Sequence, residues 1–244
     1  RAVLGLDQRP VVLLATNVLG DSLTLGRQDF SKNMAEWINR TVQYFIGRPD
    51  VQLVIRIHPG EVRTHGQSMA DVVLATLPRL PDNIRLIRAQ DEVNTYDLID
   101  VADLGLVYTT TVGMEMAMSG IPVVVSGHTH YRERGFTYDP DSWVSYFKLL
   151  GQILEKPADY RLAKEQVRDA WKYAYRFFFD YPLQFPWHLV RVWEDYKSHS
   201  LLDVLQGENS EMYLQTLRYL AGEVIDWNKV IASDEMVKAD GNVA

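Results

Sequence analysis

The sequence predicts an α/β fold, with a doubly wound Rossmann-like parallel sheet followed by a helical C-terminal segment. Two observations lead to this class. Between residues 10 and 127, short apolar runs alternate with helix-length amphipathic segments, the pattern of strands joined by crossover helices. The runs are also apolar at successive positions, so both faces of each strand are expected to be covered, as in a parallel sheet.

Five runs are predicted to be strands: VVLLATN (11–17), VQLVIRIHP (51–59), IRLIRA (84–89), LGLVY (104–108) and PVVVSG (122–127). Between the first two, apolar residues recur at helical spacing from Phe30 to Phe45, and Ser31 is the expected N-cap. Further helices are predicted over 69–77, over 96–101 and from Val112 onward. This β-α-β-α order predicts the doubly wound arrangement.

Beyond Gly127 the pattern becomes helical. A polar loop leads to a helix in which Asp139 is the expected N-cap and Pro140 the first helical residue. The side chains that this helix is expected to bury are Trp143, Phe147, Leu150 and Leu154. Helices are also predicted over 163–178, through 190–193 and over 212–225. We therefore expect a Rossmann-like domain over 1–156, a helical extension packed on it over 157–232, and a flexible tail over 233–244.

Composition limits the function. With 244 residues, 47% of them apolar, the chain can bury a full core, and its net charge of −7 argues against a nucleic-acid binder, which needs a basic face. The absence of cysteine excludes disulfides and thiolate zinc sites and fits a reducing cytosol. No apolar run approaches the about 20 residues of a membrane span. Because the chain begins at Arg1 with a linker-like segment and no signal peptide, we expect a fragment of a longer protein.

Polar residues follow four of the five predicted strands. The residues concerned are Thr16 and Asn17 after the first, His58 and Glu61 after the second, Thr109, Thr110 and Thr111 after the fourth, and Gly127, His128, His130 and Tyr131 after the fifth. In an open parallel sheet, ligands bind outside the carboxyl ends of the strands. The sequence therefore predicts a binding crevice at this edge.

The turn from Thr109 to Gly113 is the first candidate for ligand binding. It joins a strand to a helix, so unpaired N–H groups and the positive helix end are expected to face the crevice beside three hydroxyls, which suits a phosphate. Gly113 is expected to leave room for close approach, and Glu115 to accept hydrogen bonds from ribose hydroxyls. The alternative is that Thr110 only caps the helix and Glu115 is a first-turn acid favoured by the dipole.

His58 is the second candidate. Because Pro59 interrupts the ladder, the imidazole is expected to turn toward the same crevice, where it can donate a hydrogen bond to a phosphate or act as an acid; the alternative is a satisfied strand-end histidine. Arg132 and Arg134 can clamp a phosphate or sugar acid, or be solvated surface arginines. We expect no metal: His128 and His130 lack a third ligand, and the letters HPGEVRTH lack the helical spacing of a zinc motif.

Four segments together resemble a known family: VVLLATNVLGDS, LVIRIHPGE, VYTTTVGMEMAMSGIPVVVSG and HYRERGFTYDPDS. In this order and spacing they resemble the nucleotide-sugar-binding half of bacterial capsule-polysaccharide glycosyltransferases of GT-B fold, over about residues 11–154. Similar His-Pro and Ser/Thr-rich elements occur in bacterial sialyltransferases, Kdo transferases and teichoic-acid glycerophosphotransferases. The resemblance implies that His58 and the three threonines contact the donor phosphate, and that Glu115 binds ribose. The second acid of retaining enzymes is absent, since Val107 stands eight positions before Glu115.

The resemblance implies the donor domain of a glycosyltransferase of surface or capsular polysaccharide synthesis, with His58 stabilising the departing phosphate. The implied partners are a nucleotide sugar, which is the donor substrate and not a cofactor, and a glycan acceptor bound by a missing N-terminal domain. The implied location is cytoplasmic, with peripheral association with the inner face of the membrane as an alternative. CDP-alcohol glycerophosphotransfer and nucleotide-sugar epimerisation are the enzymatic alternatives. A non-catalytic docking module is the third alternative. Its aromatic surface would comprise Trp171, Phe177, Phe178, Phe179, Trp187 and Trp193. Otherwise, these residues are expected to be core or to meet the missing domain.

Overall fold

The computed structural model of the chain describes residues 1–20, 24–64, 66–208 and 210–225. It divides into two compact units, Arg1–Ala174 and Tyr175–Ala244. The expected flexible tail, 233–244, lies outside the described residues. The expected boundary between a domain over 1–156 and a helical extension over 157–232 stays a prediction.

The first unit is built on a five-stranded parallel sheet. Its strands are β1 (Val11–Ala15), β2 (Gln52–Arg56), β3 (Ile84–Ile87), β4 (Leu104–Val107) and β5 (Val123–Val125). Their spatial order is β3-β2-β1-β4-β5, with every neighbouring pair parallel. This order confirms the predicted doubly wound arrangement. The chain moves outward from β1 to β3 and then returns to the other side of β1 for β4, so the topological switch point lies between β1 and β4.

Helices cover both faces of the sheet. They are α1 (Met34–Ile46), α2 (Met69–Thr76), α3 (Thr95–Val101), α4 (Val112–Met118), α5 (Trp143–Glu155) and α6 (Lys164–Tyr175). Alternate strand residues enter two separate cores. Val12 and Leu14 pack with residues of α1, α2 and α5, whereas Val11 and Leu13 pack with residues of α3, α4 and α6. The strands are buried on both faces, which explains why their sequences are apolar at successive positions.

Two predicted helix starts are wrong. The N-cap of α1 is Asn33, whose side chain accepts a hydrogen bond from the N–H of Glu36 at 2.9 Å, while Ser31 is buried outside the helix. The N-cap of α5 is Ser142 and not Asp139. The carboxylate of Asp139 is used inside the preceding loop, where it accepts from the N–H of Glu133 at 3.0 Å, so it is not available to cap a helix.

The second unit is helical, as predicted for this part of the chain. The helix expected over 163–178 ends as α6 at Tyr175, and a π-helical turn, Arg176–Asp180, follows. A short 3-10 turn, Leu189–Arg191, precedes α7 (Val192–Ser198), α8 (Leu201–Gln206) and α9 (Ser210–Leu220). Four of the aromatic residues named for the docking alternative are largely exposed and are therefore not core residues: Trp171 in the first unit and Phe178, Phe179 and Trp193 in the second. Within the described residues, no helix is both long and apolar enough to span a membrane.

Candidate functional site

Four strands deliver polar residues to one edge of the sheet, as the sequence predicts. Thr16 and Asn17 follow β1, and both are almost completely buried. The Thr16 hydroxyl accepts a hydrogen bond from the N–H of His58 at 3.0 Å, which ties the end of β1 to that of β2. The Asn17 side-chain oxygen accepts from the N–H of Thr109 at 3.2 Å, which ties β1 to β4. These two bonds set the backbone geometry on both sides of the switch point.

The threonine turn after β4 leads into α4. Thr111 is the N-cap residue, but its side chain makes no capping hydrogen bond. The carbonyl of Thr110 accepts from the N–H of Gly113 at 3.2 Å and from the hydroxyl of Tyr131 at 2.5 Å. In the described part of the chain, the N–H groups of Thr110, Thr111 and Val112 have no acceptor. The turn therefore presents adjacent donors, as an anion site requires.

Gly113 is required by protein packing. A side chain at this position would collide with the hydroxyl of Tyr131 and would come within 2.8 Å of the Val107 Cγ2 atom. Tyr131 is fully buried, and this burial raises the pKa of its hydroxyl far above the usual value. The space beside Gly113 is thus filled by Tyr131 and Val107. That either Gly113 or Tyr131 also contacts a ligand stays a prediction.

His58 turns out of the ladder at Pro59, which begins a 3-10 helix, Pro59–Arg63. The Nδ1 atom of His58 accepts a hydrogen bond from the N–H of Gly60 at 3.0 Å. In the neutral ring, Nδ1 is therefore unprotonated and the proton resides on Nε2, a tautomer assigned from this bond. The ring thus has one engaged acceptor, Nδ1, and one N–H donor, Nε2.

Glu61 has partners within the protein. Its carboxylate accepts from the Ser68 hydroxyl at 2.5 Å and from the N–H of Met69 at 3.2 Å, and the residue is buried. Because Ser68 is the N-cap of α2, these bonds fix the start of that helix. The predicted contact of Glu61 with a ligand stays a prediction.

Glu115 lies in the first turn of α4, as predicted, and acts on Tyr96. Its negative charge, together with hydrogen bonding, raises the pKa of the Tyr96 hydroxyl. Tyr96 is 60% exposed and begins α3, where the side chain of Asn94 accepts from its N–H at 3.0 Å. Tyr96 is not among the residues predicted from the sequence, although an aromatic residue in the first turn of the helix after the third strand is a signal that could have indicated it.

Arg132 and His130 are held by the loop after β5. Arg132 is buried and forms an ion pair with Asp29 at 2.6 Å, and it also donates to the carbonyl of Pro140 at 2.8 Å. The ring of His130 stacks on Tyr173, and the Tyr173 hydroxyl donates to the carbonyl of His130 at 2.6 Å. The Tyr173 hydroxyl uses its single hydrogen in that bond. The Nδ1–H group of His130 therefore donates to the hydroxyl oxygen, at 3.2 Å.

Burial lowers the pKa of His130, and the nearby Arg134 and Arg27 lower it further. The ring is therefore neutral at pH 7. Within the part of the chain that the structure describes, no group of three or more His, Asp or Glu side chains could hold a metal ion.

The fold and this edge define a class of protein: a doubly wound α/β protein with polar residues at the switch point of its sheet. The family is defined by sequence. Residues 3–150, more than half of the chain, match the family model described as "Capsule polysaccharide biosynthesis protein". The chain belongs to this family. No curated protein matches the sequence.

Solved structures of low sequence identity are similar to the chain. The KpsC beta Kdo 2,4 transferase of Thermosulfurimonas dismutans is 18% identical with a TM-score of 0.42, over 68% of this chain and 44% of its own. The UDP-GlcNAc 2-epimerase of Neisseria meningitidis bound to UDP-GlcNAc is 16% identical with a TM-score of 0.47, over 70% and 44%. The wall teichoic acid polymerase TagF is 13% identical with a TM-score of 0.44, over 70% and 41%. The chain spans less than half the length of each.

Proposed function

We propose that this chain is the donor domain of a GT-B type glycosyltransferase of surface polysaccharide synthesis, and that it binds a nucleotide sugar without an obligatory metal. Membership of the capsule polysaccharide biosynthesis family supports a role in surface polysaccharide synthesis. The crevice at the switch point supports binding of a nucleotide-like ligand, because open α/β sheets bind ligands at this position. In this proposal the acceptor is a glycan bound outside the described residues, and the protein acts in the cytoplasm.

One observation supports this proposal most directly: the hydrogen bond of 3.2 Å between Asn17 and Thr109. It fixes the two strand ends that flank the switch point, so the unpaired N–H groups of Thr110 and Thr111 are held next to it. A phosphate bound here would accept from these N–H groups and from the Thr111 hydroxyl. Preorganised donors of this kind stabilise negative charge without reorganising when the charge develops.

His58 and Glu115 have separate roles in the proposed complex. The Nε2 proton of His58 would be donated to the phosphate that becomes the leaving group, so that the imidazole stabilises its growing charge. The Glu115 carboxylate would accept from the ribose hydroxyls. The acceptor oxygen would bond to the anomeric carbon of the sugar as the bond from that carbon to the phosphate oxygen breaks, and the acceptor's proton would pass to a base outside the described residues. The chain's part in this reaction is to bind the donor and to stabilise the departing nucleotide.

The proposal is tested by thermal shift and calorimetry with CMP, CDP, UDP and GDP. We expect at least one of them to raise Tm, because a ligand that binds only the folded state stabilises it. His58→Ala should weaken binding of that nucleotide but not of its nucleoside. His188→Ala is the matched control, since the Nδ1 of His188 likewise accepts from the N–H two residues on, at 3.2 Å, but this histidine belongs to the second unit and should leave both affinities unchanged. If no nucleotide raises Tm, the chain is not a nucleotide-binding domain.

A further inference from the structure

Arg56 is a buried cation that the proposed function does not yet use. It is the last residue of β2, and only 5% of its surface is exposed. One guanidinium nitrogen, Nη1, donates to the carbonyl of Arg88 at 2.7 Å. The Nε atom is buried without a hydrogen-bond partner. Nη2 has no acceptor among the described residues and is not fully enclosed.

The charge of Arg56 has no contact partner of opposite sign, although the Asp91 carboxylate acts on it from a longer distance. No carboxylate of the described residues forms an ion pair with it, whereas the equally buried Arg132 pairs with Asp29 at 2.6 Å. Burial lowers the pKa of the Arg56 guanidinium, and the charge of Asp91 offsets part of this effect. Buried charges in proteins are normally paired, because desolvation of an unpaired ion is costly. A single bond to a carbonyl does not meet this requirement.

The position of Arg56 relates this cation to the crevice. Arg56 precedes His58 by two residues and lies opposite Ala15 in β1 and Ile87 in β3, so it stands at the carboxyl edge of the sheet. Side chains alternate along a strand, and Arg56 therefore shares a face with Val54, which packs in the core beneath α3 and α4. These helices carry Tyr96 and Glu115 in their first turns. The guanidinium thus lies at the carboxyl edge on the face of the sheet that α3 and α4 cover, and its one hydrogen bond is made just beyond the end of the neighbouring β3.

We propose that Arg56 binds an oxyanion of the ligand, either a phosphate of the nucleotide or the carboxylate of an acidic sugar. This inference rests on the proposed function, since it assigns a further residue to the same crevice. A planar guanidinium with an unused Nη group suits an oxyanion, which can accept two parallel N–H bonds. Arg56 is then tolerated without an ion pair to the protein because the ligand supplies a negative charge in direct contact with it.

The test uses Arg56→Met, which keeps an unbranched side chain and removes the charge. If Arg56 serves the ligand, the ligand-free variant should melt at or above the wild-type Tm, because an unpaired buried charge is lost. Affinity for the nucleotide that stabilises wild type should fall by about tenfold or more, since hydrogen bonds to charged groups contribute that much. Affinity for the matching nucleoside should not change. If the oxyanion is a sugar carboxylate, glucuronate binding should fall and nucleotide binding should not.

Arg85→Met is the matched control. Arg85 stands in β3 near its amino end, and its guanidinium donates to three backbone carbonyls, those of Leu4, Asp82 and Ile84. This variant should lower Tm and leave ligand affinity unchanged. If Arg56→Met lowers Tm as much as the control or fails to fold, Arg56 is structural and the inference is wrong. If Arg56→Met loses equal affinity for the nucleoside and the nucleotide, Arg56 contacts the base, and the inference is also wrong.

The outcomes separate this inference from the proposed function. If wild type binds a nucleotide and Arg56→Met binds the nucleotide and glucuronate as tightly as wild type, the proposed function survives and the inference fails. If wild type binds no nucleotide, the proposed function fails, and inorganic phosphate and glucuronate are then titrated into both proteins. Weaker binding of either anion to Arg56→Met would still support the oxyanion site. Absence of any difference would overturn it.

Discussion

Thr111→Val tests whether the threonine turn binds phosphate or only begins a helix. Removal of a threonine side chain that caps a helix costs about 1 kcal/mol of stability. Thr111 is the N-cap of α4, yet its side chain makes no capping bond, so this cost should not arise. Its backbone, with φ −62° and ψ −20°, also suits valine. We expect the free energy of unfolding to change by less than about 0.5 kcal/mol, as for other substitutions that break no such feature.

Binding should respond differently. If the Thr111 hydroxyl donates to a phosphate, its loss should cost roughly 1.5 to 3 kcal/mol, which raises Kd about 10- to 150-fold. Calorimetry with the nucleotide that stabilises wild type measures this change, and urea unfolding measures stability. The two readouts should therefore separate, with a large effect on affinity and a small effect on folding.

Ser142→Ala is the control for helix capping. The Ser142 hydroxyl accepts from the N–H of Ser145 at 3.2 Å and takes part in a capping box at the start of α5. This variant should lose about 1 kcal/mol of stability and keep its nucleotide affinity. The reasoning is refuted if Thr111→Val loses as much stability as Ser142→Ala while its affinity is unchanged.

Three further variants test neighbouring features. Glu115→Gln should weaken binding of the ribonucleotide more than that of its 2′,3′-dideoxy analogue, and equal losses in calorimetry would count against ribose binding. Gly113→Ala should destabilise the fold by about 1 to 3 kcal/mol in urea unfolding, because the added methyl group collides with Tyr131, and an unchanged stability would contradict this packing. Because burial lowers the pKa of His130 below its ordinary 6.5, the unfolded state binds more protons and stability falls as the pH drops below about 6.5. His130→Gln should make that pH dependence shallower by at most about 1.4 kcal/mol per pH unit, and an unchanged slope would show that His130 does not contribute.

The sheet could be predicted because its determinants are local. Each strand is buried on both faces, so each appears in the sequence as a continuous apolar run. The polar residues that end these runs mark the edge at which β1, β2, β4 and β5 stop. Strand order then follows from the right-handed crossover rule and the doubly wound pattern.

The helix starts could not be predicted equally well, because several residues near each start have suitable side chains. Asp139 and Ser142 are both good N-caps by type. The choice between them depends on the loop, in which Asp139 accepts from the hydroxyl of Thr137 and from the N–H of Glu133. Likewise, the N-cap of α1 is Asn33 and not Ser31. Such competition is decided by tertiary contacts that have no signature in the local sequence.

The polar residues at this edge of the sheet fall into two groups according to their hydrogen-bond partners. The side-chain oxygens of Thr16 and Asn17 accept hydrogen bonds from neighbouring strand ends, and Glu61 accepts from the start of α2, so these groups shape the edge. His58 and Arg56 differ, because each has a donor that no described residue accepts. Residue type and position predict His58 together with the first group and do not indicate Arg56, so only the hydrogen-bond partners distinguish the two groups. Substitutions in the first group should therefore alter folding together with binding, whereas those of His58 and Arg56 should alter binding more than folding.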